Sequence, residues 1–269
     1  MPVALTKDNV RIAYESYGNG PLTVMLLHGW GGSARFWEDM VSHLDLNGLR
    51  VIAISYRGYG DSDKPDIRYT LDHLAQDVLA VADAAGAKSS VLVGFSLGGK
   101  VAQYVAAVHP ERVSGLVLIA PVPASEFAPP TEMIKAWCDA QSDPRAAYTV
   151  IVAPNSKVPI RPELLEAFYK EFVKARRGAL EETLRVLGVS CADATTRVRA
   201  PSLAIAGTYD PLVPPKLLRK TLLTHITGAR MITLPCGHMI PQEMPEQTAA
   251  LVEAFLSGLG KTAATEAAA

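Results

Sequence analysis

One stretch narrows the fold of this chain more than any other: Val91-Leu92-Val93 runs straight into Gly94-Phe95-Ser96-Leu97-Gly98-Gly99. An unbroken apolar run rich in β-branched residues is the pattern of a strand buried on both faces. Beyond the turn, Leu97, Val101, Val105 and Val108 recur at intervals of four, four and three, which is one apolar face of a helix. A chain that passes from strand to helix in so few residues presses backbone against backbone at Gly94 and Gly98, where a β-carbon has no room. Ser96 stands at the apex of that turn. A Gly-x-Ser-x-Gly match by itself is short enough to recur by chance, and a serine in such a turn can merely cap the helix. The rest of the chain decides between these readings.

The elements around the turn alternate. Val3 to Leu5 and Val10 to Tyr14 flank a Lys7-Asp8-Asn9 turn and read as an antiparallel hairpin. Leu22 to Leu27 is a buried strand that ends at His28-Gly29-Trp30-Gly31-Gly32, after which Ser33 caps a helix running to about Leu44. Leu49 to Ile54 is a further strand, followed by a loop of turn formers from Tyr56 to Ser62 and a helix over Leu71 to Ala84. Val113 to Ala120 makes the next strand. Strands separated by helices of this length pair in parallel through crossovers, so the class is α/β with both sheet faces covered.

At Pro121 the rhythm breaks: eight of the nineteen prolines fall between Pro121 and Pro162, and no strand pattern returns until Ser202 to Ala206. The grouping of Leu164, Leu165, Phe168, Tyr169 and Phe172 is helical, so the stretch predicts a small helical insertion and not a disordered linker. Its aromatics, among them Phe127, Trp137, Tyr148, Phe168 and Phe172, either line an apolar pocket or pack the insertion onto the body. A helix over Pro215 to His225, a strand over Arg230 to Leu234 and a helix over Gln242 to Leu256 complete the body. The organisation expected is a core of residues 1–120 and 201–260, a helical cap over 121–200 and a flexible tail over 261–269.

With 269 residues, 49% of them hydrophobic, and a formal net charge of -1, the chain can bury a large single core and offers no electrostatic basis for binding nucleic acid or an anionic membrane. No run approaches the ~20 apolar residues of a spanning helix, and the N-terminus lacks the basic and then apolar stretch of a secretory signal, which predicts a soluble cytoplasmic protein. Cys138, Cys191 and Cys236 are odd in number and widely spaced, so free thiols are expected and neither a disulfide framework nor a zinc site.

A serine hydroxyl becomes a nucleophile when an imidazole takes its proton and a carboxylate holds that imidazole in the right tautomer. In open α/β sheets the site lies beyond the carboxyl ends of the strands, which restricts the partners to loops that follow strands. Asp210 follows the strand Ser202 to Ala206, and His238 follows Arg230 to Leu234. Asp139, Asp143 and Asp193 fall in the insertion, and His225 lies near the end of an amphipathic helix. Asp210 and His238 are therefore the expected partners of Ser96.

The chain order Ser96, Asp210, His238, together with the glycine-flanked serine and the His28-Gly29 turn, resembles the α/β-hydrolase superfamily from Val10 to Leu256. That resemblance implies a mainly parallel eight-stranded sheet with helices on both faces and a lid after the sixth strand. The motifs His28-Gly29-Trp30 and Gly94-Phe95-Ser96-Leu97-Gly98-Gly99 are most similar to bacterial carboxylesterases and the cofactor-free haloperoxidase and perhydrolase group. The chain departs from that group at Gly31, where proline is frequent, and at Lys100, where a third glycine is frequent. The superfamily's common Asp-x-Arg-Gly stands as Ser55-Tyr56-Arg57-Gly58, which implies a different pairing within that loop.

A serine at the apex, where similar dehalogenases and epoxide hydrolases carry aspartate, implies acyl transfer to water. The oxyanion is assigned to the backbone N–H groups of Leu97, at the helix N-terminus, and of Trp30, the latter from the resemblance. The Trp30 ring either walls the acyl pocket or is a core indole, and His28 braces its turn. The expectation is a carboxylesterase or lactonase acting on a small molecule as a monomer or homodimer, with no metal or cofactor. Two alternatives use the same three residues: a carbon–carbon bond hydrolase, which needs polar groups around an enolate, and a slow-turnover ligand receptor.

Overall fold

The computed structural model describes the backbone of residues 1–267 and the side chains of residues 1–259. The tail expected to be flexible, 261–269, therefore has its side chains outside the described residues, and residues 268–269 lie outside them altogether.

Among the described residues, eight strands form one sheet: β1 Val3–Leu5, β2 Arg11–Gly18, β3 Leu22–Leu27, β4 Leu49–Ile54, β5 Ser90–Phe95, β6 Val113–Ile119, β7 Ser202–Gly207 and β8 Arg230–Leu234. Their spatial order is β1-β2-β4-β3-β5-β6-β7-β8. The hairpin strands pair antiparallel with each other and with β4, and every later pairing is parallel. The order reverses on either side of β3, so the loops after β3 and β5 open side by side at one end of the sheet, where an open parallel sheet binds its ligand.

The helices are α1 Glu38–Ser42, α2 Leu71–Ala84, α3 Leu97–Val108, α4 Thr131–Asp139, α5 Pro144–Ala147, α6 Pro162–Phe172, α7 Arg177–Leu187, α8 Ala192–Thr195, α9 Pro215–His225, α10 Ile240–Glu243 and α11 Pro245–Ala267. Alternate residues of the central strands enter opposite layers, as the period of two requires. Leu92 and Met25 pack with α2 and α3, whereas Val91, Val93 and Leu26 pack with α1 and α11. The apolar stripe of α3 lies on this core, with Leu97, Val101 and Val105 buried and Val108 half-buried.

Two expected helices are divided near their starts. Ser33 does cap, its hydroxyl accepting the Arg35 N–H at 3.2 Å, but Ala34–Trp37 is a tighter 3-10 turn before α1 begins. The last helix breaks at Met244, whose non-helical backbone (φ -142°, ψ 61°) precedes Pro245. Proline excludes the helical conformation from the residue before it, so α10 ends and α11 begins afresh.

Between β6 and β7 the chain folds into α4 to α8. This segment is tied to the body by hydrogen bonds: Trp30 Nε1 donates to Leu180 O at 2.8 Å and Arg176 N to Gly58 O at 3.0 Å. Lys100, on the buried side of α3, donates through Nζ to Ser125 O at 3.0 Å and Leu187 O at 2.7 Å. Gly31, with φ +78°, lies beneath the same segment, where an added β-carbon would come within 3.1 Å of Phe172 Cδ2. Both departures noted in the sequence are thus points at which the body touches the inserted helices.

The Ser55 to Gly58 loop has a pairing of its own. Arg57 is fully buried, and its guanidinium reaches Asp77 of α2 at 2.7 Å and Asp8 of the hairpin turn at 2.7 Å. Asp77 also accepts the Arg57 N–H at 2.9 Å, while Ser55 Oγ accepts the Ala34 N–H at 3.0 Å. The acid comes from a helix and a distant turn, and the loop serine instead anchors the turn that follows Ser33. Cys138, Cys191 and Cys236 are free and buried.

Candidate active site

The turn after β5 is as tight as its glycines imply. A β-carbon on Gly94 would stand 2.4 Å from Gly98 O, and one on Gly98 would stand 2.1 Å from Leu27 O, in both cases against backbone that cannot yield. Ser96 itself adopts φ 51° and ψ -112°. A non-glycine residue held there costs on the order of 1 to 3 kcal/mol and persists because its surroundings over-determine it. Backbone hydrogen bonds supply that restraint: Ser96 N donates to Ile119 O at 3.0 Å, and Ser96 O accepts from Gly99 and Val122 at 3.0 Å and from Lys100 at 3.2 Å. The result is a hydroxyl lifted clear of the sheet at the N-terminus of α3.

Ser96, Asp210 and His238, drawn from three separate loops, meet at this point. Ser96 Oγ lies 3.0 Å from His238 Nε2, and His238 Nδ1 lies 2.7 Å from Asp210 Oδ2. The other Asp210 oxygen accepts the N–H groups of Leu212 at 2.8 Å and Val213 at 3.0 Å. Burial would raise the Asp210 carboxyl, but the adjacent His238, its hydrogen bond and the two backbone donors together hold it below its ordinary value. A carboxylate on Nδ1 fixes the proton there and leaves Nε2 as an acceptor facing Ser96. The rival acids and His225 take no part: Asp139 pairs with Lys135 and Arg177, and His225 Nδ1 lies against Thr221 O.

His28 is fully buried, and burial lowers its pKa to about 4. Its Nδ1–H donates to Gly29 O at 2.7 Å and its Nε2 accepts the Tyr56 N–H at 3.2 Å, so a neutral ring braces the turn after β3. That turn presses on the serine: a β-carbon on Gly29 would lie 2.7 Å from Phe95 Cδ1 and 3.3 Å from Ser96 Cβ. Trp30 stands in the turn after β3 and Leu97 directly follows Ser96, and among the described residues neither backbone N–H is hydrogen-bonded. Donors left open beside a hydroxyl are available to an anion that forms there.

Above Ser96 lies a cavity of about 280 Å³. Trp30, Phe36, Phe127, Trp137, Phe168 and Leu184 are among the apolar residues of its wall, and the polar side chains at its surface include Ser96, His238 and Asn155. Of the five aromatics marked in the insertion, Phe127, Trp137 and Phe168 line this space, Phe172 is buried against Trp30 at 5.4 Å between centroids, and Tyr148 faces outward, half-exposed. The Trp30 ring is both wall and brace, since its indole N–H is held by Leu180 O.

Two supports were not legible beforehand. Asn155 O accepts the His238 N–H at 2.6 Å, and Glu243 accepts the N–H groups of Gly237 at 2.9 Å and of Lys157 and Val158 at 2.7 Å. The inserted segment and α10 therefore clamp the loop that carries His238. Neither residue carries a sequence signal, because each acts through loop geometry.

Comparison with known proteins gives these features a context. Residues 23–154 match a family model described as the alpha/beta hydrolase fold. The chain is 30% identical over 231 residues to a non-heme chloroperoxidase of Streptomyces lividans, covering 80% of this chain and 84% of that one. Among solved structures, it superimposes on a hydrolase from Pseudomonas aeruginosa with a TM-score of 0.80 at 26% identity, covering 95% of this chain and 97% of the other. Est816, described as an N-acyl homoserine lactone degrading enzyme, superimposes with a TM-score of 0.79 at 27% identity, covering 94% of this chain and all of its own. Among the described residues, no helix is long and apolar enough to cross a membrane.

Proposed function

The chain belongs to the α/β-hydrolase family, and on that premise we propose that it is a serine hydrolase that cleaves an uncharged carboxylic ester or lactone through an acyl-enzyme. The observation that carries this reading is the unbroken relay from Ser96 Oγ through His238 to Asp210 at the floor of an apolar cavity. Ser96 Oγ attacks the carbonyl carbon as His238 Nε2 takes its proton, and Asp210 stabilises the imidazolium through Nδ1–H. The N–H groups of Leu97 and Trp30 receive the oxyanion, each worth about 3 to 4 kcal/mol of barrier. His238 then protonates the leaving alkoxide, which departs as an alcohol or, from a lactone, stays tethered as a hydroxyl. Water repeats the sequence on the acyl-enzyme, losing a proton to His238 and releasing the acid and Ser96. Every proton and electron pair in these steps comes from the chain, the ester and water.

The cavity supports an uncharged substrate, since no lysine, arginine, aspartate or glutamate lines it and burying an unpaired charge there carries a large desolvation cost. The same lining weighs against a carbon–carbon bond hydrolase, whose enolate needs polar company. The likeness to Est816 supports lactones within the class. The helices between β6 and β7 act as the cap that shapes this space, and we place the enzyme in the cytoplasm as a monomer or homodimer. Hydrolysis of p-nitrophenyl acetate and butyrate and of simple lactones tests the reading, with hydrogen peroxide added as a competing nucleophile to detect peracid formation. Turnover that persists in Ser96→Ala would overturn it.

A further inference from the structure

Phe168 of α6 occupies a junction. Its ring is stacked on Phe172 at 5.6 Å between centroids and 12° between planes, and it forms part of the wall of the cavity above Ser96. On its outer side the same ring lines a surface groove of about 520 Å³ between the Pro144 to Val152 stretch and α6. The rest of that groove is walled mainly by Pro144, Ala147, Tyr148, Val152, Leu165 and Tyr169, with Arg145, Thr149 and Glu166 also lining it. The Tyr169 hydroxyl is already engaged with Gln141 O at 3.2 Å, so the tyrosine offers the groove its ring.

A second space also touches Phe168, and it is smaller and more polar. It measures about 50 Å³ and is lined by Arg35, Glu38, Asp39, Glu171 and Gln242. An apolar chain that outgrew the cavity would have to desolvate those groups to enter there, and the volume is close to that of one or two waters. The groove on the other side offers far more room, with walls that are mostly apolar. The cavity itself, about 280 Å³, is near the ~300 Å³ lower end of ordinary small-ligand sites, which leaves little room in it for a long chain.

Resting on the ester-hydrolase reading above, we propose that the groove between Tyr148 and Leu165 is a tail subsite, and that the substrates are esters or lactones bearing a linear apolar chain which passes Phe168 into it. Phe168 is then a specificity-determining partition. Short acyl groups stay inside the cavity, and long ones displace the ring and lie along Val152, Leu165 and Tyr169. Leu165 is half-buried on the groove side and does not line the cavity, so it reports on the tail alone.

The test is the ratio of kcat/KM for p-nitrophenyl decanoate to that for the acetate, in wild type, Leu165→Glu and Phe168→Ala. Leu165→Glu should lower the ratio about tenfold, the effect of two methylenes losing apolar contact, and Phe168→Ala should raise it. A ratio that moves in neither variant, or in the same direction in both, overturns the subsite. A second arm does not depend on turnover: binding of 1-decanol to Ser96→Ala, read through the fluorescence of Trp30 and Trp137, should weaken about tenfold on adding Leu165→Glu. Equal decanol affinity with and without Leu165→Glu also overturns the proposal. If wild type hydrolyses no ester while decanol binding still depends on Leu165, the ester-hydrolase reading fails and the subsite stands.

Discussion

Replacing Asp210 with asparagine exchanges one oxygen for an NH2 group, and the structure dictates which one. Oδ1 accepts two backbone donors, from Leu212 and Val213, at 2.8 and 3.0 Å. An asparagine keeps its carbonyl oxygen there and turns its NH2 toward His238 Nδ1, 2.7 Å away. As a donor, the NH2 requires an unprotonated Nδ1, so the ring proton moves to Nε2 and points at Ser96. His238 can then no longer take the serine proton. The opposite amide orientation restores the working tautomer but sets NH2 against two N–H groups, at a cost of about 1 to 3 kcal/mol for each buried bond lost. That total of about 2 to 6 kcal/mol limits the productive orientation to between about 1 in 30 and 1 in 10⁴ molecules. Loss of the carboxylate charge beside the imidazolium pushes the effect toward the upper end, about four orders of magnitude, as in other triads. The assay is kcat/KM for p-nitrophenyl acetate in Asp210→Asn, with ¹⁵N NMR of His238 reporting the tautomer. A loss below tenfold, or an Asp210→Asn variant whose His238 still carries its proton on Nδ1, would refute the assignment of Asp210 as the orienting acid.

Three further outcomes follow from other parts of the molecule. Gly98→Ala drives a β-carbon to 2.1 Å from Leu27 O, so the variant should lose both activity and its cooperative thermal transition; an active, stably folded variant contradicts the backbone argument. Folded His28 takes up its proton near pH 4 against an ordinary 6.5, so in that interval the unfolded chain binds the extra proton. Its contribution to stability is complete above pH 6.5 and is lost as the pH falls to about 4, by about 3 kcal/mol. Urea unfolding at both pH values should show this difference in wild type and a smaller one in His28→Gln. Lys100→Met leaves Ser125 O without its donor and removes one of the two donors on Leu187 O. The melting temperature should drop by an amount equivalent to about 1 to 3 kcal/mol, and a rise would show that desolvation of the ammonium outweighs its two bonds.

Much of this arrangement is legible in the chain itself, because its causes are local. The Val91 to Gly98 stretch dictates a buried strand, a turn free of β-carbons and an amphipathic helix, and the hydrophobic period places each central strand within a residue or so of its observed ends. Position relative to strand ends singled out Asp210 and His238, since a parallel sheet puts the loops after its strands on one side. Where sequence pattern failed, a competing local rule had acted, as at Met244, where Pro245 divides a helix whose apolar period continues. Tertiary structure alone decided how the inserted helices sit on the body. Lys100 reaching Ser125 and Leu187, Gly31 beneath Phe172, Arg57 shared between Asp77 and Asp8, and Asn155 and Glu243 holding the His238 loop are contacts between residues far apart in the chain. No period encodes them, because each depends on where two backbones come to rest. The cavity shape and the place of Phe168 between three spaces belong to the same class: hydrophobicity says that an aromatic side chain will be covered, and only packing decides what lies on its two faces.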